Sequence, residues 1–425
     1  MLRKLGVFER AMLIANKHAP FNIVSVLRLE NAPSPDIVKS ALDVLQKRQP
    51  FLRARIDDGG KVPFFEALSS PELPFRIIKR THKEQWRDIA EQEMAFCYDH
   101  RSKPLFRAIY LHSGKNSELI LNVHHAIMDA ASGMNLLDEL LQLISGEVVT
   151  LSPLQFAPLF EKQFPPSHRG IQRIFTMTGY TIRQMGDMAR FAWRTRGKRT
   201  PPVRLGGRSY TTSLVLPKDL VNSLSYQGRK NGLTLNSILN AAQVQAVNRY
   251  LYAGKMLPMQ TFAFADLRPY TIPPTGAEQL ANYISMMRFT VEVSGKGDFW
   301  DLAHQLHAQI YKTLKFGDKF SAAMMSEVLL KTFTTMKSMR FGATALNYSG
   351  NVPLKREYGE IKLVGVHGFV SGYDLGPEIS SQARLFNDEI WWDFIYLDTD
   401  MDADLAEKIV AEIKLILEKA SQNHV

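Results

Sequence analysis

Cysteine is nearly missing from this chain, because Cys97 is the one example among 425 residues. A single cysteine excludes a disulfide within the chain, and it leaves thiolate-based metal sites short of ligands. Cys97 lies in the largely apolar stretch Met94–Tyr98. We therefore expect it to be a small buried side chain rather than a nucleophile.

Long apolar runs are also lacking. No stretch approaches the roughly 18 consecutive apolar residues that a membrane-spanning helix needs. Residues 1–6 carry charges with no apolar stretch behind them, so we expect no signal peptide. These absences predict a cytoplasmic protein, and peripheral association with a membrane stays open. A Gly-x-Ser-x-Gly turn is absent as well, so nothing favours a serine hydrolase.

Acidic residues are scarce in one segment only. Between Lys162 and Arg208 there are eleven Lys or Arg residues and one acid, Asp187. This segment carries +10, which equals the formal net charge of the whole chain, whereas the other residues include 41 basic and 41 acidic side chains. The sequence therefore predicts a neutral protein with one basic segment.

The basic segment predicts a long amphipathic helix over residues 170–196. At about 100° per residue, one side of this helix is apolar and the opposite side carries arginines. The apolar side contains Ile171, Ile174, Phe175, Thr178, Ile182, Met185, Ala189, Ala192 and Trp193; the arginines are Arg169, Arg173, Arg183, Arg190 and Arg194.

Two interpretations of this helix stay open. The apolar side could pack on the protein body and leave the basic side in solvent. Alternatively, the helix contacts an acidic partner, which is either anionic lipid or an acidic carrier protein. Nucleic acid is not expected, because no recognised nucleic-acid motif accompanies the segment.

One stretch carries residues suited to proton transfer. Leu119–Val123 predicts a short buried strand that ends in His124 and His125. Asp129 follows, just before a segment with helical spacing. An imidazole titrates near neutral pH, so it can accept a proton from an attacking group and later return it.

The string His-His-x-x-x-Asp resembles the HHxxxDG signature of the condensation-domain superfamily. That superfamily includes nonribosomal peptide condensation domains, wax-ester synthases, polyketide-associated acyltransferases and, more distantly, chloramphenicol acetyltransferase. The resemblance implies that His125 is the general base, that His124 packs beside it, and that Asp129 forms a structural ion pair. Ala130 stands where the signature has glycine, which adds a methyl group but removes no reacting group.

Later phrases resemble the same superfamily; they are Asp266–Pro269, Ala281-Asn282 and Asn347–Gly350. We expect Arg268 to be the cation that holds the Asp129 carboxylate, because a buried carboxylate needs a matched cation. The alternatives are Arg53 and Arg107. Candidates for polar groups of a channel or of the oxyanion side are Asn282, Asn347 and Ser349.

The rest of the chain mixes strands and helices. Phe21–Leu29 alternates as a strand, Pro35 opens a helix, and Phe51–Ile56 is strand-like. We expect a mixed α/β (α+β) fold. The resemblance implies two chloramphenicol-acetyltransferase-like subdomains with the active site in a channel between them. The predicted boundaries are 1–160 for the N-terminal half, 161–208 for the basic connecting segment and 209–425 for the C-terminal half.

The resemblance also implies the activity, an acyl transfer from a thioester to a hydroxyl or amine. The donor would be acyl-CoA or a phosphopantetheine-linked acyl group on an acyl carrier protein, and the acceptor a small-molecule or lipid alcohol or amine. His125 would act directly, without a covalent intermediate. The alternative is a non-catalytic module that docks carrier proteins or other partners.

No tightly bound cofactor and no metal are expected, because a thioester is already activated. His304 and His307 have a spacing that occurs between metal ligands, but no further ligands lie near them in the sequence.

Overall fold

The computed structural model describes residues 1–147, 152–196, 201–315, 317–336 and 340–422. The chain divides into two compact units. Unit 1 consists of Met1–Phe164, Arg268–Tyr283 and Asn351–Ser371, and unit 2 consists of Pro165–Leu267, Ile284–Gly350 and Gly372–Val425. Two segments from the C-terminal half of the sequence therefore belong to unit 1. The boundaries at 160 and 208 stay a prediction.

The strands in chain order are β1 (Leu2–Lys4), β2 (Asn22–Glu30), β3 (Ala54–Asp57), β4 (Phe64–Ala67), β5 (Phe75–Lys79), β6 (Phe106–His112), β7 (Asn116–His124), β8 (Ser209–Leu216), β9 (Leu257–Asp266), β10 (Ile284–Val293), β11 (Thr344–Asn351), β12 (Glu357–Tyr358), β13 (Ile361–Val370), β14 (Ile379–Phe386) and β15 (Glu389–Leu397). The helices are α1 (Val7–His18), α2 (Pro35–Arg48), α3 (Gln85–Met94), α4 (Ala130–Ile144), α5 (Gly170–Thr195), α6 (Lys218–Lys230), α7 (Leu235–Leu251), α8 (Phe299–Lys315), α9 (Asp318–Met336) and α10 (Ala403–Gln422).

Unit 1 is built on a six-stranded sheet with the order β12-β13-β2-β7-β6-β5. The central strands β2 and β7 are antiparallel, and every side chain of β2 from Asn22 to Leu27 is buried. Burial on both faces explains why apolar residues occupy successive positions here. Strand β13, from the C-terminal half of the sequence, pairs with β2. The second sheet of unit 1 has the order β1-β4-β3.

Unit 2 is built on a six-stranded sheet with the order β10-β9-β11-β14-β15-β8. Its core contains Trp392 and Phe394 from β15 together with apolar side chains of α7 and α10. From Ser237 to Asn248, helix α7 is buried on all sides, and polar side chains in such a place generally need hydrogen-bond partners. Gln243 shows this, because its amide donates to the carbonyls of Ala345 and Ile379.

The predicted mixed α/β fold is confirmed, with sheets and helices in both units. Strands β6 and β7 form an antiparallel pair that leads to the two histidines. The channel between subdomains stays a prediction.

Two local predictions are wrong. Pro50–Arg53 forms a 3-10 helix, and strand β3 begins only at Ala54. The rigid φ of Pro50 suits the first position of a helical turn and removes a donor from any ladder. Cys97 is exposed rather than buried. The apolar neighbours predicted burial for the stretch, but its side chains point alternately, so Tyr98 is buried and Cys97 is not.

Helix α5 confirms the predicted long helix but overturns the interpretation that its apolar side packs on the body. Ile171, Phe175, Ile182 and Trp193 are all more than half exposed. Residues 197–200, at the end of the basic segment, lie outside the described part of the chain. Of the helices that the structure describes, none is long and apolar enough to cross a membrane.

Candidate active site

Strand β7 ends at the two histidines, and the sheet of unit 1 fixes their backbone. The His124 amide donates to the carbonyl of Leu105 (3.0 Å), and the His125 amide donates to the carbonyl of Phe21 (3.2 Å). Because neighbours on both sides of β7 hold these amides, the position of the two histidines follows from the sheet itself.

His124 is fully buried and serves the structure. Its Nδ1 accepts a hydrogen bond from the Ala126 amide at 3.1 Å, so the proton of the neutral ring is on Nε2. Burial lowers the pKa of His124 to about 3, with help from the nearby His100 and His125. A ring that stays neutral and accepts a bond from the loop stabilises the turn that carries His125.

His125 is half-buried, and its ring stacks on Phe21 with centroids 5.3 Å apart and an interplanar angle of 12°. Burial lowers the pKa of His125 below its usual 6.5, although backbone hydrogen bonds and the charge of Asp129 oppose the shift. The imidazole is therefore neutral at pH 7, which is the protonation state of a base. The side-chain amide of Asn282 donates to the His125 carbonyl.

Asp129 is 3% exposed. Its carboxylate accepts hydrogen bonds from a guanidinium, two backbone amides and a hydroxyl. Arg268 contacts it through two nitrogens, Nη1 to Oδ2 at 2.8 Å and Nη2 to Oδ1 at 3.0 Å. The Tyr283 amide donates to Oδ2 at 2.8 Å, and the Ser132 amide and hydroxyl donate to Oδ1, both at 3.0 Å. Burial alone would raise the pKa of Asp129, but Arg268 and these hydrogen bonds lower it.

Of the three arginines considered for this ion pair, the structure brings Arg268 to Asp129. Arg53 instead donates to the Leu68 carbonyl at 2.7 Å. Arg107 lies over the Phe96 ring, 3.9 Å from its centroid, and near Glu93. The bidentate geometry uses both ends of a planar guanidinium, which lysine could not reproduce.

Asp129 is also the N-cap of α4, so the same carboxylate fixes the start of the helix. Ala130 occupies the first helical position with a negative φ, which an alanine adopts without strain. The methyl group that replaces the signature glycine is therefore accommodated by the backbone.

Gln49 is a residue of this site that the sequence did not single out. It is buried, and its amide donates to the Glu278 carbonyl at 2.6 Å while its oxygen accepts from the Leu280 amide. It therefore holds the backbone that leads to Asn282. The signal was its position in the phrase Gln49–Arg53, which resembles the superfamily but gives no role.

The remaining candidates lie elsewhere in the chain. Asn347 and Ser349 are on β11 of unit 2, where the Asn347 amide donates to Gln382 at 2.8 Å and Ser349 is exposed. Their assignment to a channel stays a prediction. Within the residues that the structure describes, no group of His, Cys, Asp and Glu side chains could hold a metal ion.

Comparison with known proteins gives matches to two family models. A condensation-domain family model matches residues 11–164, and a model described as the C-terminus of phthiocerol/phthiodiolone dimycocerosyl transferase matches residues 207–353. The first match contains the two histidines, Asp129 and Gln49. The chain is therefore similar to a condensation domain in residues 11–164 and to that C-terminal region in residues 207–353.

Individual relatives point to acyltransferases. The phthiocerol/phthiodiolone dimycocerosyl transferase of Mycobacterium tuberculosis (strain ATCC 25618 / H37Rv) is 25% identical over 303 residues, which cover 68% of this chain and 69% of that protein. This likeness supports an acyltransferase.

Two solved structures share the fold. Trichothecene 15-O-acetyltransferase from Fusarium sporotrichioides has a TM-score of 0.78 at 13% identity and covers 99% of this chain and 95% of its own. Polyketide synthase associated protein 5 from Mycobacterium tuberculosis has a TM-score of 0.72 at 17% identity and covers 99% of both chains.

Proposed function

We propose that this protein transfers an acyl group from a thioester to the hydroxyl of a lipid alcohol, with His125 as the general base. The observation that carries the proposal is the state of His125: a neutral imidazole, half-buried, on a loop held by the Asp129–Arg268 pair. The acceptor class rests on the relative named above, whose printed name describes the acylation of phthiocerol and phthiodiolone.

The proposed reaction needs one proton carrier. The hydroxyl oxygen attacks the thioester carbonyl carbon while the His125 imidazole takes its proton. The tetrahedral intermediate then collapses, the carbon–sulfur bond breaks, and the imidazolium returns the proton to the thiolate. An ester and a free thiol result, and no metal or covalent enzyme intermediate takes part.

The ring nitrogens of His125 have different environments. Nδ1 is buried, which leaves Nε2 as the nitrogen to receive the proton. The stacked Phe21 ring and the bond from Asn282 to the His125 carbonyl restrict the ring and its backbone. Both contacts reduce the motion of the imidazole, so less orientational freedom is lost when the ring is aligned for proton transfer.

The donor is proposed to be acyl-CoA or an acyl group on a carrier protein. The free thiol reports turnover with either donor. Thiol release would be measured with a series of short-chain to long-chain acyl-CoAs, and with acylated carrier protein, in the presence of alcohols and amines. A preferred alcohol over its amine analogue would support ester formation.

His125→Ala tests the general base. We expect turnover to fall by roughly 10²–10⁴-fold with the fold retained, because a positioned base contributes about this factor. His304→Ala is the matched control, since His304 is an exposed histidine on α8. Circular dichroism and thermal unfolding would check both variants.

Different results would contradict the role of His125 and the proposed acyl transfer. Equal turnover of wild type and His125→Ala would remove His125 from the mechanism. Absence of thiol release with every CoA and carrier-bound donor would favour the alternative, a non-catalytic module that docks carrier proteins.

A further inference from the structure

Helix α5 turns a stripe of apolar side chains toward solvent. The stripe consists of Ile171, Ile174, Phe175, Ile182, Met185 and Trp193, and Phe175 and Trp193 are 72% and 75% exposed. Apolar side chains scattered singly on a surface are ordinary, but a contiguous row on one helix marks an interaction surface.

The opposite side of α5 fixes the helix to unit 2. Tyr180 is buried there, and two polar contacts follow: Asp187 accepts a hydrogen bond from Thr290 at 2.7 Å, and Gln184 accepts one from Arg288 at 3.2 Å. Both acceptors lie on the side away from the apolar stripe. The outward orientation of the stripe is therefore set by specific contacts of the packed side.

The charges of α5 are arranged around the stripe. On an ideal helix the six apolar side chains span a sector of about 100°, and Arg183, Arg190 and Arg194 follow within about 100° of one edge. Asp187, the one acid of α5, is turned toward β10. The outward surface of α5 itself therefore combines apolar groups and arginines and carries no acidic side chain of the helix.

The helix contains four arginines, Arg173, Arg183, Arg190 and Arg194, of which two are already neutralised and two are available. Arg183 pairs with Asp318, and Arg194 pairs with Glu292. The side chains of Arg173 and Arg190 form no ion pair with a residue that the structure describes. These two cations can therefore meet an external negative charge.

We propose that α5 is a membrane-docking helix that lies in the headgroup region of an anionic lipid surface. The stripe from Ile171 to Trp193 is about 33 Å long at 1.5 Å per residue, and a flat lipid surface can cover all of it at once. Phe175 and Trp193 insert at the boundary of headgroups and acyl chains, while the arginine side chains extend to the anionic headgroups.

A second copy of the chain would cover the stripe less well. Two α5 helices placed face to face would bring arginines of both copies together, and neither outward face of α5 carries an acid to meet the unpaired Arg173 and Arg190. The same charges do favour an acidic carrier protein, but such a partner would be recognised mainly by the arginines and not by six apolar side chains in a row.

The test is flotation of the full-length protein with vesicles, without substrate, so its result is independent of acyl transfer. Vesicles of phosphatidylcholine would be compared with vesicles of phosphatidylcholine and phosphatidylglycerol at roughly 2:1. We expect binding to the anionic vesicles, and we expect Phe175→Ser with Trp193→Ser to weaken it by about tenfold or more, because two large aromatic side chains lose their burial.

The matched control is Tyr226→Ser with Tyr311→Ser, which removes two aromatic side chains that are each 59% exposed on α6 and α8. This control should bind like the wild type. A loss of binding equal to that of the α5 variant would overturn the proposal, as would failure of the wild type to bind either kind of vesicle.

The charge is tested separately by Arg173→Gln with Arg190→Gln. We expect weaker binding to anionic vesicles and unchanged behaviour on neutral ones, and Arg229→Gln with Lys230→Gln on α6 loses the same net charge as a control. Dimerisation that the α5 variant abolishes, or carrier-protein binding without vesicle binding, would overturn the membrane assignment. Thiol release from a water-soluble substrate should be unchanged in all four double variants.

Discussion

At the scale of single residues, burial sets the environment of His125. Phe21 stacks on its ring, and the Asn282 side chain donates to its backbone carbonyl. Burial disfavours the charged imidazolium more than the carboxylate of Asp129 favours it. The consequence is an imidazole that stays unprotonated at a lower pH than that of an exposed histidine.

The pH profile of kcat/KM follows from this lowered pKa. A base works in its neutral form, so activity should persist below pH 6.5 and fall only as the pH drops through the depressed pKa of His125. Initial rates between about pH 4.5 and 8 would locate the acidic limb. A midpoint at or above 6.5 would contradict the assignment of His125 as a base with a depressed pKa.

The His-His-x-x-x-Asp string was readable at this scale because its members lie on one strand end and the turn after it. Strand β7 ends at His124, so short-range sequence order already places the histidines at an edge of the sheet. The contact of Asn282 with the His125 carbonyl was not readable, since the two residues are 157 positions apart.

At the scale of elements, Asp129 joins two functions in one carboxylate, the cap of α4 and the ion pair with Arg268. The helix start, the loop after β7 and the segment that ends at Tyr283 therefore depend on each other. Loss of the carboxylate leaves a buried guanidinium without its anion and removes the acceptor of three further donors, the Tyr283 amide and the Ser132 amide and hydroxyl.

Asp129→Ala is expected to destabilise the protein by about 3–5 kcal/mol, because removal of one partner leaves an uncompensated buried charge. Asp43→Ala is the matched control; its partner is Lys39 at 3.0 Å, both are exposed, and a loss below about 1 kcal/mol is expected. Denaturant unfolding would measure both changes.

A double-mutant cycle would separate the ion pair from the cap. The sum of the losses in Asp129→Ala and Arg268→Ala should exceed the loss in the double variant by about 0.5–3 kcal/mol. Additive losses together with full activity would mean that the pair does not hold the loop of His125.

At the scale of the whole molecule, each unit contains buried titratable groups, and Glu378 in unit 2 gives the clearest consequence. Burial raises the pKa of Glu378 from its usual 4.5 to about 7, although Arg340 and a hydrogen bond from Tyr252 oppose the shift. Asp400, which pairs with Arg340, adds to the increase.

The direction in which pH changes the folding stability follows from the pKa of Glu378 in the folded and unfolded protein. The protonated carboxyl is favoured in the folded protein, so its contribution to stability is fully present below about pH 4.5 and is lost as the pH rises through about 7. Glu378→Gln keeps the shape but does not titrate. The difference in unfolding free energy between wild type and Glu378→Gln should therefore shift in favour of the variant as the pH rises.

Urea unfolding of both proteins between about pH 5 and 8 would check this. The difference between the two proteins cancels the other titrating groups they share, including Asp129, whose lowered pKa acts at acidic pH in the opposite direction. A difference that does not change across this range would refute the raised pKa of Glu378.

The sequence by itself determined what depends on neighbours in the chain. Residue order placed His125 after a buried strand and Asp129 at a helix start, and the helical period of α5 separated its apolar side from its arginines. The class of fold followed in the same way, because strand and helix periods are local properties.

The tertiary structure alone decided which distant residues meet. Arg268, 139 positions from Asp129, was one of three candidate cations, and only the folded backbone brings its guanidinium to the carboxylate. The insertion of β13 beside β2 and the outward face of α5 were decided in the same way. A periodic pattern defines the sides of an element, but the free energy of packing against specific partners, here Thr290 and Arg288, selects the side that is buried.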